Sequence, residues 1–339
     1  MLRAPVPNEG DLISRVPISE IQGRIGFLTM AFGAPRYLRQ AENLALSLRL
    51  HMPNVPLAIV TDVEGPLSLF DKIIRLDKSR GMGVVQKVFM DSYSPFHDTL
   101  FIDSDCIVTC PFWGELEEIM RYSFTVVGVT YHPDDKVKFI DLKNTLIALK
   151  IDRFPGFNGG VYYFTRDATS GKVFEYARGI LGRWQSLGLR LLDSSGPNDE
   201  AIFGLAIEMA GAALCDDYGR LMRTPVAMIG PLKIEPLGGG TRFAKGDREK
   251  GDYELVEPAI CHFTGSYINW PEYRRCERLL RGEPVGFLLM VWIFSRKIVK
   301  SKVITCLFSC LQRQPAVRKL ILAVPSLKLL AFRLKQTMS

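Results

Sequence analysis

The chain has 339 residues, 47% of them hydrophobic and 23% charged, with a formal net charge of +7. It is long enough for one large core or two modest ones, and too apolar to be disordered throughout. Its seven cysteines (106, 110, 215, 261, 276, 306 and 310) form an odd, scattered set that fits neither a disulfide scaffold nor a zinc ribbon, and they are expected to be reduced thiols.

Residues 1–23 read as an N-terminal extension without the continuous apolar core of an export signal, so a cytoplasmic location is expected. From there the chain alternates. RIGFLTM (24–30) predicts a first strand and residues 35–52 a helix, with Pro35 in its first turn. Further strands are expected at 56–62, 72–77 and 99–103, and helices at 84–94 and 113–122. This β-α-β order predicts an α/β fold with a single, mostly parallel sheet flanked by helices. Ligands of such sheets gather beyond the carboxyl ends of the strands.

One predicted strand runs through Leu100, Phe101 and Ile102 into Asp103, Ser104 and Asp105. On extended backbone, residues i and i+2 point the same way, so both carboxylates can aim at one point while Ser104 points elsewhere. Two adjacent carboxylates repel unless a cation or a proton lies between them, and an oxygen-rich pair suits Mg²⁺ or Mn²⁺. The competing reading has one aspartate capping a helix near Pro111 and the other solvated. Asn158, Gly159 and Gly160 then precede a predicted strand, where a bare backbone can approach a ligand closely. A helix opens around 197–199, placing Asp199 and Glu200 in its first turn, where a carboxylate can also face a cleft. A last apolar strand ends in His262, Phe263 and Gly265, and the imidazole would supply a third metal ligand. A glycine run at 238–240 reads as a flexible loop, one that could close over a donor.

In their order, Asp103/Asp105, Asn158/Gly160, Asp199 and His262/Phe263/Gly265 resemble the nucleotide-sugar-dependent glycosyltransferases of the GT-A fold, most of all glycosyltransferase family 8, over about residues 24–280. The resemblance implies that Asp103, Asp105 and His262 hold a divalent metal, Mn²⁺ or Mg²⁺, on the donor diphosphate. It places Asn158 and Asp199 against the donor sugar, with Asn198 holding a hydroxyl and Asp199 facing the anomeric carbon. Lys87, Ser104, Gly159, Gly160 and Gly265 fall at donor-binding positions, and Tyr37 resembles the family's base-stacking tyrosine. Three departures stand beside it. Ala34, Pro35 and Arg36 replace an Asp-rich triplet, Ile268, Asn269 and Trp270 replace Lys-Pro-Trp, and Asn198, Asp199 and Glu200 replace Asp-Gln-Asp.

Residues 281–339 carry eleven Lys/Arg against Glu283 alone. Their apolar runs, such as 284–295 and 303–312, are shorter than the ~18–20 residues of a spanning helix. A basic amphipathic tail on an anionic membrane surface, at its inner face, is expected, with packing on the protein body or on a partner as the alternative. The tail has no recognisable nucleic-acid-binding motif, and nucleic acid is not an expected partner. The expected activity is metal-dependent transfer from a nucleotide sugar, UDP-sugar favoured, to a glycan or lipid-linked acceptor in polysaccharide or glycolipid synthesis, with retention. The alternatives are a sugar nucleotidyltransferase, since the glycine run is similar to a pyrophosphorylase loop, and an inactive membrane-tethered sugar-binding scaffold.

Overall fold

The structure, a computed structural model, describes residues 17–193, 196–247, 252–286 and 289. The basic tail beyond 289, with its expected membrane role, lies outside the described residues. No helix among the described residues is long and apolar enough to cross a membrane.

A short helix α1 (Ile18–Arg24) leads into β1 (Ile25–Ala31), α2 (Pro35–His51), β2 (Leu57–Thr61) and β3 (Lys72–Arg75). The expected helix at 84–94 is mostly 3₁₀, over Gly83–Phe89, and only then α3 (Met90–Tyr93). Val84, Val85 and Val88 give this segment poor α propensity. The chain continues through β4 (Asp98–Ile102), β5 (Cys106–Val108), α4 (Trp113–Ile119), β6 (Phe124–Thr125), β7 (Gly128–Tyr131), α5 (Leu142–Leu149), β8 (Phe154–Phe157), β9 (Val161–Thr165) and α6 (Ala168–Leu181). It closes with β10 (Leu191–Asp193), β11 (Gly196–Pro197), α7 (Asp199–Ala210), β12 (Met222–Arg223), β13 (Met228–Glu235), β14 (Gly240–Asp247), β15 (Asp252–Val256), β16 (Ile260–His262) and α8 (Pro271–Leu280).

The central sheet has the order β3-β2-β1-β4-β9-β6. The β1, β2, β3 and β4 pairings are parallel, and β9 runs antiparallel between β4 and β6. The expected mostly parallel sheet flanked by helices is therefore present. Strands β1, β2 and β4 are buried at every position, as strands covered on both faces must be. Edge strand β3 is exposed and carries Lys72 and Arg75, charges that discourage pairing with another chain.

Two apolar layers cover the sheet. On one face α2 contributes Ala41, Leu44, Ala45 and Leu48, a helical stripe that packs with Leu100 and Ile102. On the other, α6 and α7 bury Phe174 and Phe203 against Phe124, Tyr162 and Phe164. Strand β9 serves both layers by simple alternation, Tyr162 and Phe164 to one and Val161 and Tyr163 to the other.

A second structural idea appears beyond the main sheet. Strands β12, β16 and β5 form a small sheet, parallel between β12 and β16 and antiparallel between β16 and β5. Between β12 and β16 the chain makes an antiparallel meander, β13-β14-β15. The glycines at 238–240 belong to its first hairpin: the Gly238 and Gly239 N–H groups donate to the Glu235 carbonyl, and φ is 128° at Gly238 and 72° at Gly240. The expected loop is thus a tight turn, with Gly240 already in β14. Helix α8 packs nearby, with Tyr273 edge-on to Phe263. It is tied to α2 by Arg39–Glu277 at 2.5 Å and by the Asn43 amide, which donates to the Tyr273 hydroxyl at 3.1 Å.

Candidate active site

The carboxyl end of β4 runs into a turn. The Asp103 N–H donates to the Gly160 carbonyl at 2.9 Å, and the Cys106 N–H donates back to the Asp103 carbonyl at 3.0 Å. Asp103, Ser104 and Asp105 are thus a turn between β4 and β5 rather than a continuation of the strand. Convergence of the two carboxylates comes from this turn, not from strand alternation. Neither caps a helix: α4 begins at Trp113 with Phe112 as its N-cap.

The β5–β16 pairing sets His262 opposite Cys106, and the Phe263 N–H donates to the Asp105 carbonyl at 3.1 Å. His262 Nε2 consequently lies 3.0 Å from Asp105 Oδ1 and 3.7 Å from Asp103 Oδ2. Its other nitrogen, Nδ1, is hydrogen-bonded to the Asn158 side-chain oxygen. An amide oxygen can only accept, so Nδ1 carries the proton, and Nε2 faces the carboxylates either protonated or with its lone pair toward a cation. Burial pushes the His262 pKa down, but the Asp105 and Asp103 carboxylates outweigh it and the pKa is raised. For Asp105, burial pushes up, and His262 and Lys87 overcome it to leave the pKa lowered.

Gly160 makes room for this ring. A Cβ built there would meet His262 Nδ1 at 2.5 Å and Cγ at 2.8 Å. Gly159 packs as closely, with a Cβ meeting the Tyr162 hydroxyl at 2.9 Å and Asp199 Oδ2 at 3.1 Å. Both glycines make room for protein side chains, and Gly159 also faces the cavity in which the sequence suggested an approach to a ligand.

Lys87 is the electrostatic centre. It is 9% exposed, and its ammonium donates to Asp103 Oδ2 at 2.8 Å, Asp199 Oδ2 at 2.9 Å and the Gly159 carbonyl at 3.0 Å. Burial alone would lower its pKa; the two carboxylates reverse this and raise it. Asp103, pushed up by burial and by Asp105 against the pull of Lys87, has a raised pKa. The Tyr162 hydroxyl also donates to Asp199 Oδ2 at 2.9 Å, so two groups, Lys87 and Tyr162, fix the first residue of α7. Asn198 caps that helix, its side-chain oxygen accepting from the Ala201 N–H at 2.9 Å.

Glu200 completes the cluster. Its carboxylate accepts from the Gly159 N–H at 2.8 Å and the Asn158 amide at 3.4 Å. Burial and the Asp199 charge push its pKa up to about 7 from the usual 4.5. The folded protein then holds a proton that the unfolded chain releases above pH 4.5, so stability from this group is lost as pH rises through 7. Glu200→Gln keeps the acceptor for Gly159 and should flatten this dependence, read as urea midpoints that no longer fall between about pH 5 and about pH 8. The sequence showed Glu200 only as a first-turn acid; its partner, the Gly159 amide, comes from the turn between β8 and β9. Tyr162, inside an apolar strand run, carries no signal in the sequence.

Lys87, Asp103, Ser104, Asp105, Asn158, Gly159, Asn198, Asp199, Glu200, His262 and Tyr37 all line one cavity of about 730 Å³ at the carboxyl ends of β1 and β4. Gly160 lies behind it, against His262, and none of Gly238, Gly239 and Gly240 lines it. Gly265 lines an adjoining cavity of about 410 Å³ with Arg36, Arg39 and Arg274. Tyr37, Gln40 and Asp105 line both. The Arg36 guanidinium lies over the Tyr37 ring, 4.8 Å from its centroid.

The donor set for a divalent cation is a tight one. Ligand atoms of Asp105, Cys106 and His262 lie within 4.8 Å of one another. The Cys106 thiol is a poor member, since burial and then the Asp105 and Asp103 charges raise its pKa well above the ordinary value. An imidazole whose distal nitrogen is anchored, facing a carboxylate, fits a transition metal ion. Asp103 is the natural third ligand, although it is shared with Lys87.

No family model and no curated protein matches the chain. Among solved structures it is similar to the glycosyltransferase GlyE of Streptococcus pneumoniae TIGR4, at 16% identity and TM-score 0.35, over 53% of this chain and 42% of that one. The apo form of GlyE is matched over 46% of its length, so the chain spans less than half of these relatives. It is also similar to the galactosyltransferase LgtC in complex with donor and acceptor sugar analogs, at 11% identity and TM-score 0.47, over 77% of this chain and 97% of that one. The bifunctional WbbM structure matches at 12% identity and TM-score 0.43, over 81% and 52%.

Proposed function

We propose that the protein is a metal-dependent GT-A glycosyltransferase that moves a sugar from a nucleoside-diphosphate sugar to a glycan acceptor. The observation that carries this reading is the convergence of Asp103, Asp105, His262, Lys87 and Asp199 on one cavity at the carboxyl ends of parallel strands. Asp105 and His262, with Asp103, would hold Mn²⁺ or Mg²⁺, which when bound offsets the negative charge of a departing diphosphate.

The chain's own residues do the rest. In the cavity that adjoins Asp105, Arg36 supplies positive charge for the diphosphate where the family's Lys-Pro-Trp lysine is missing, beside Arg39 and Arg274, which share Glu277. Tyr37, shared by the two cavities, offers a ring face to a nucleobase. Asp199, oriented by Lys87 and Tyr162, is held to stabilise positive charge at the anomeric carbon. Among the residues lining the cavity, the carboxylates are already engaged: Asp199 by Lys87, Glu200 by Gly159, Asp105 by His262. Retention, with the departing phosphate taking the proton, is the stereochemical course of this reading, and Glu200, with its pKa of about 7, is the carboxylate that an inverting course would use as base. UDP-sugar as donor and a cytoplasmic location at a membrane surface complete the reading.

Calorimetric titration with UDP-, GDP-, CMP- and dTDP-sugars, with Mn²⁺ or with chelator, tests it. One nucleotide sugar should bind only with metal, and Asp105→Asn should weaken it by about 100-fold or more. Equal binding in chelator removes the metal from the mechanism, and absence of any binding removes the reading.

A further inference from the structure

A second cavity, of about 580 Å³, lies on the far side of Asn158 from the carboxylate cluster, between the β7–β8 pair, β12 and the meander. Its volume is that of a small-molecule site. Val127, Phe157 and Met222 give it apolar walls, and Arg223 and Lys245 give it two cations, each beside a carboxylate of the same lining, Asp217 and Glu254. We propose that this cavity binds an acidic unit of the acceptor glycan, one bearing a carboxylate or a phosphate, next to the unit whose hydroxyl reacts. The inference rests on the glycosyltransferase reading for the word acceptor, and on the cavity alone for the charge.

Arg223 is a built feature, not a stray surface charge. Its guanidinium grips buried Asp217 at 2.8 and 2.6 Å and also donates to the Met222 carbonyl at 2.7 Å. Asp217 meanwhile accepts from the N–H groups of Gly219, Leu221 and Met222, so its negative charge is spread over three amides as well as Arg223. Lys245, on β14, faces Glu254 across the β14–β15 pair. Burial and the nearby Arg223 charge lower the Lys245 pKa, and Glu254 only partly opposes them. With the Arg223 fork engaged by Asp217, Lys245 is the cation an arriving anion would pair with, beside a guanidinium fixed in place. Thr224 adds a buried hydroxyl whose oxygen accepts from the Val226 N–H at 3.3 Å, leaving its proton to donate.

Two links join the cavity to the reacting centre. Asn158 lines both cavities, and the segment from Thr224 to Val226 passes from one to the other, Thr224 lining the second and Val226 the first. A saccharide chain with its terminal hydroxyl among the carboxylates therefore has its next ring at the cations. The apolar walls suit the CH faces of a sugar ring, and the cations suit its acidic substituent.

The test needs no donor. Saturation-transfer NMR of the full chain with galacturonic acid, galactose 6-phosphate and galactose, at millimolar concentrations, should show binding of one or both acids and none of the neutral sugar. Which acid binds distinguishes carboxylate from phosphate. Lys245→Met should weaken the acid by about tenfold or more, and Glu254→Gln, which removes the facing carboxylate, should strengthen it. Equal binding of all three sugars, undiminished acid binding by Lys245→Met, or no binding of either acid overturns the inference. Acid binding in a protein that binds no nucleotide sugar would leave the cavity assigned and remove the transferase reading; donor binding without acid recognition would do the reverse.

Discussion

Replacing Lys87 with methionine should cost the metal-free protein about 3–5 kcal/mol of stability and, on the proposed function, abolish sugar transfer. Removing one partner from a buried ionic group leaves the others uncompensated, which is far worse than never having built the group. Here one ammonium serves Asp103 and Asp199 together, and both side chains are largely withdrawn from water. The variant should regain part of the loss on adding Mn²⁺, because a divalent cation can neutralise the carboxylates that the ammonium has left. Chemical unfolding in chelator and in Mn²⁺, for wild type and variant, measures both effects. A variant as stable as wild type in chelator would mean that Asp103 and Asp199 are not jointly held by Lys87.

Gly160→Ala is the smallest change with a large expected effect. Its Cβ would stand 2.5 Å from His262 Nδ1 and 3.2 Å from the His262 Cβ, so the ring must shift. The ring is wedged against Asn158 and β5, and overpacking of this kind costs about 1–3 kcal/mol. The functional loss should be larger than the stability loss, since Nε2 would leave Asp105. Metal affinity, followed by Mn²⁺ electron paramagnetic resonance, should fall by about tenfold or more. Normal affinity in a folded Gly160→Ala protein would separate His262 from the metal.

Much of the main sheet was legible because its strands are continuous apolar runs and α2 carries a clean helical stripe. The five expected elements from 24–30 to 72–77 and 99–103 sit within a residue or two of β1, α2, β2, β3 and β4. What was not legible depends on partners distant in sequence. Strand β5 is three residues long and exists through its pairing with β16, more than 150 residues on. The meander has ordinary amphipathic strands, but its glycines invited a loop reading, since a turn glycine and a mobile glycine look alike in sequence. The residue types of the candidate site were visible as an ordered set. The reason they meet was not: Asp103 and Asp105 converge through a turn, and Lys87, which a solvated helix face would have explained equally well, is buried among carboxylates.

The meander leaves the small sheet at β12 and returns to it at β16, and these two strands are direct neighbours. The residues between them form an excursion whose two ends are clamped side by side. Lys245 and Glu254 lie on its cavity side, whereas Leu232, Ile234, Phe243 and Val256 pack with Cys261 and Phe263 and hold the strand that delivers His262. Exchange at these two cavity-side positions leaves that packed face untouched, so the wall of the second cavity can change its charge while the carboxylate and imidazole cluster stays fixed.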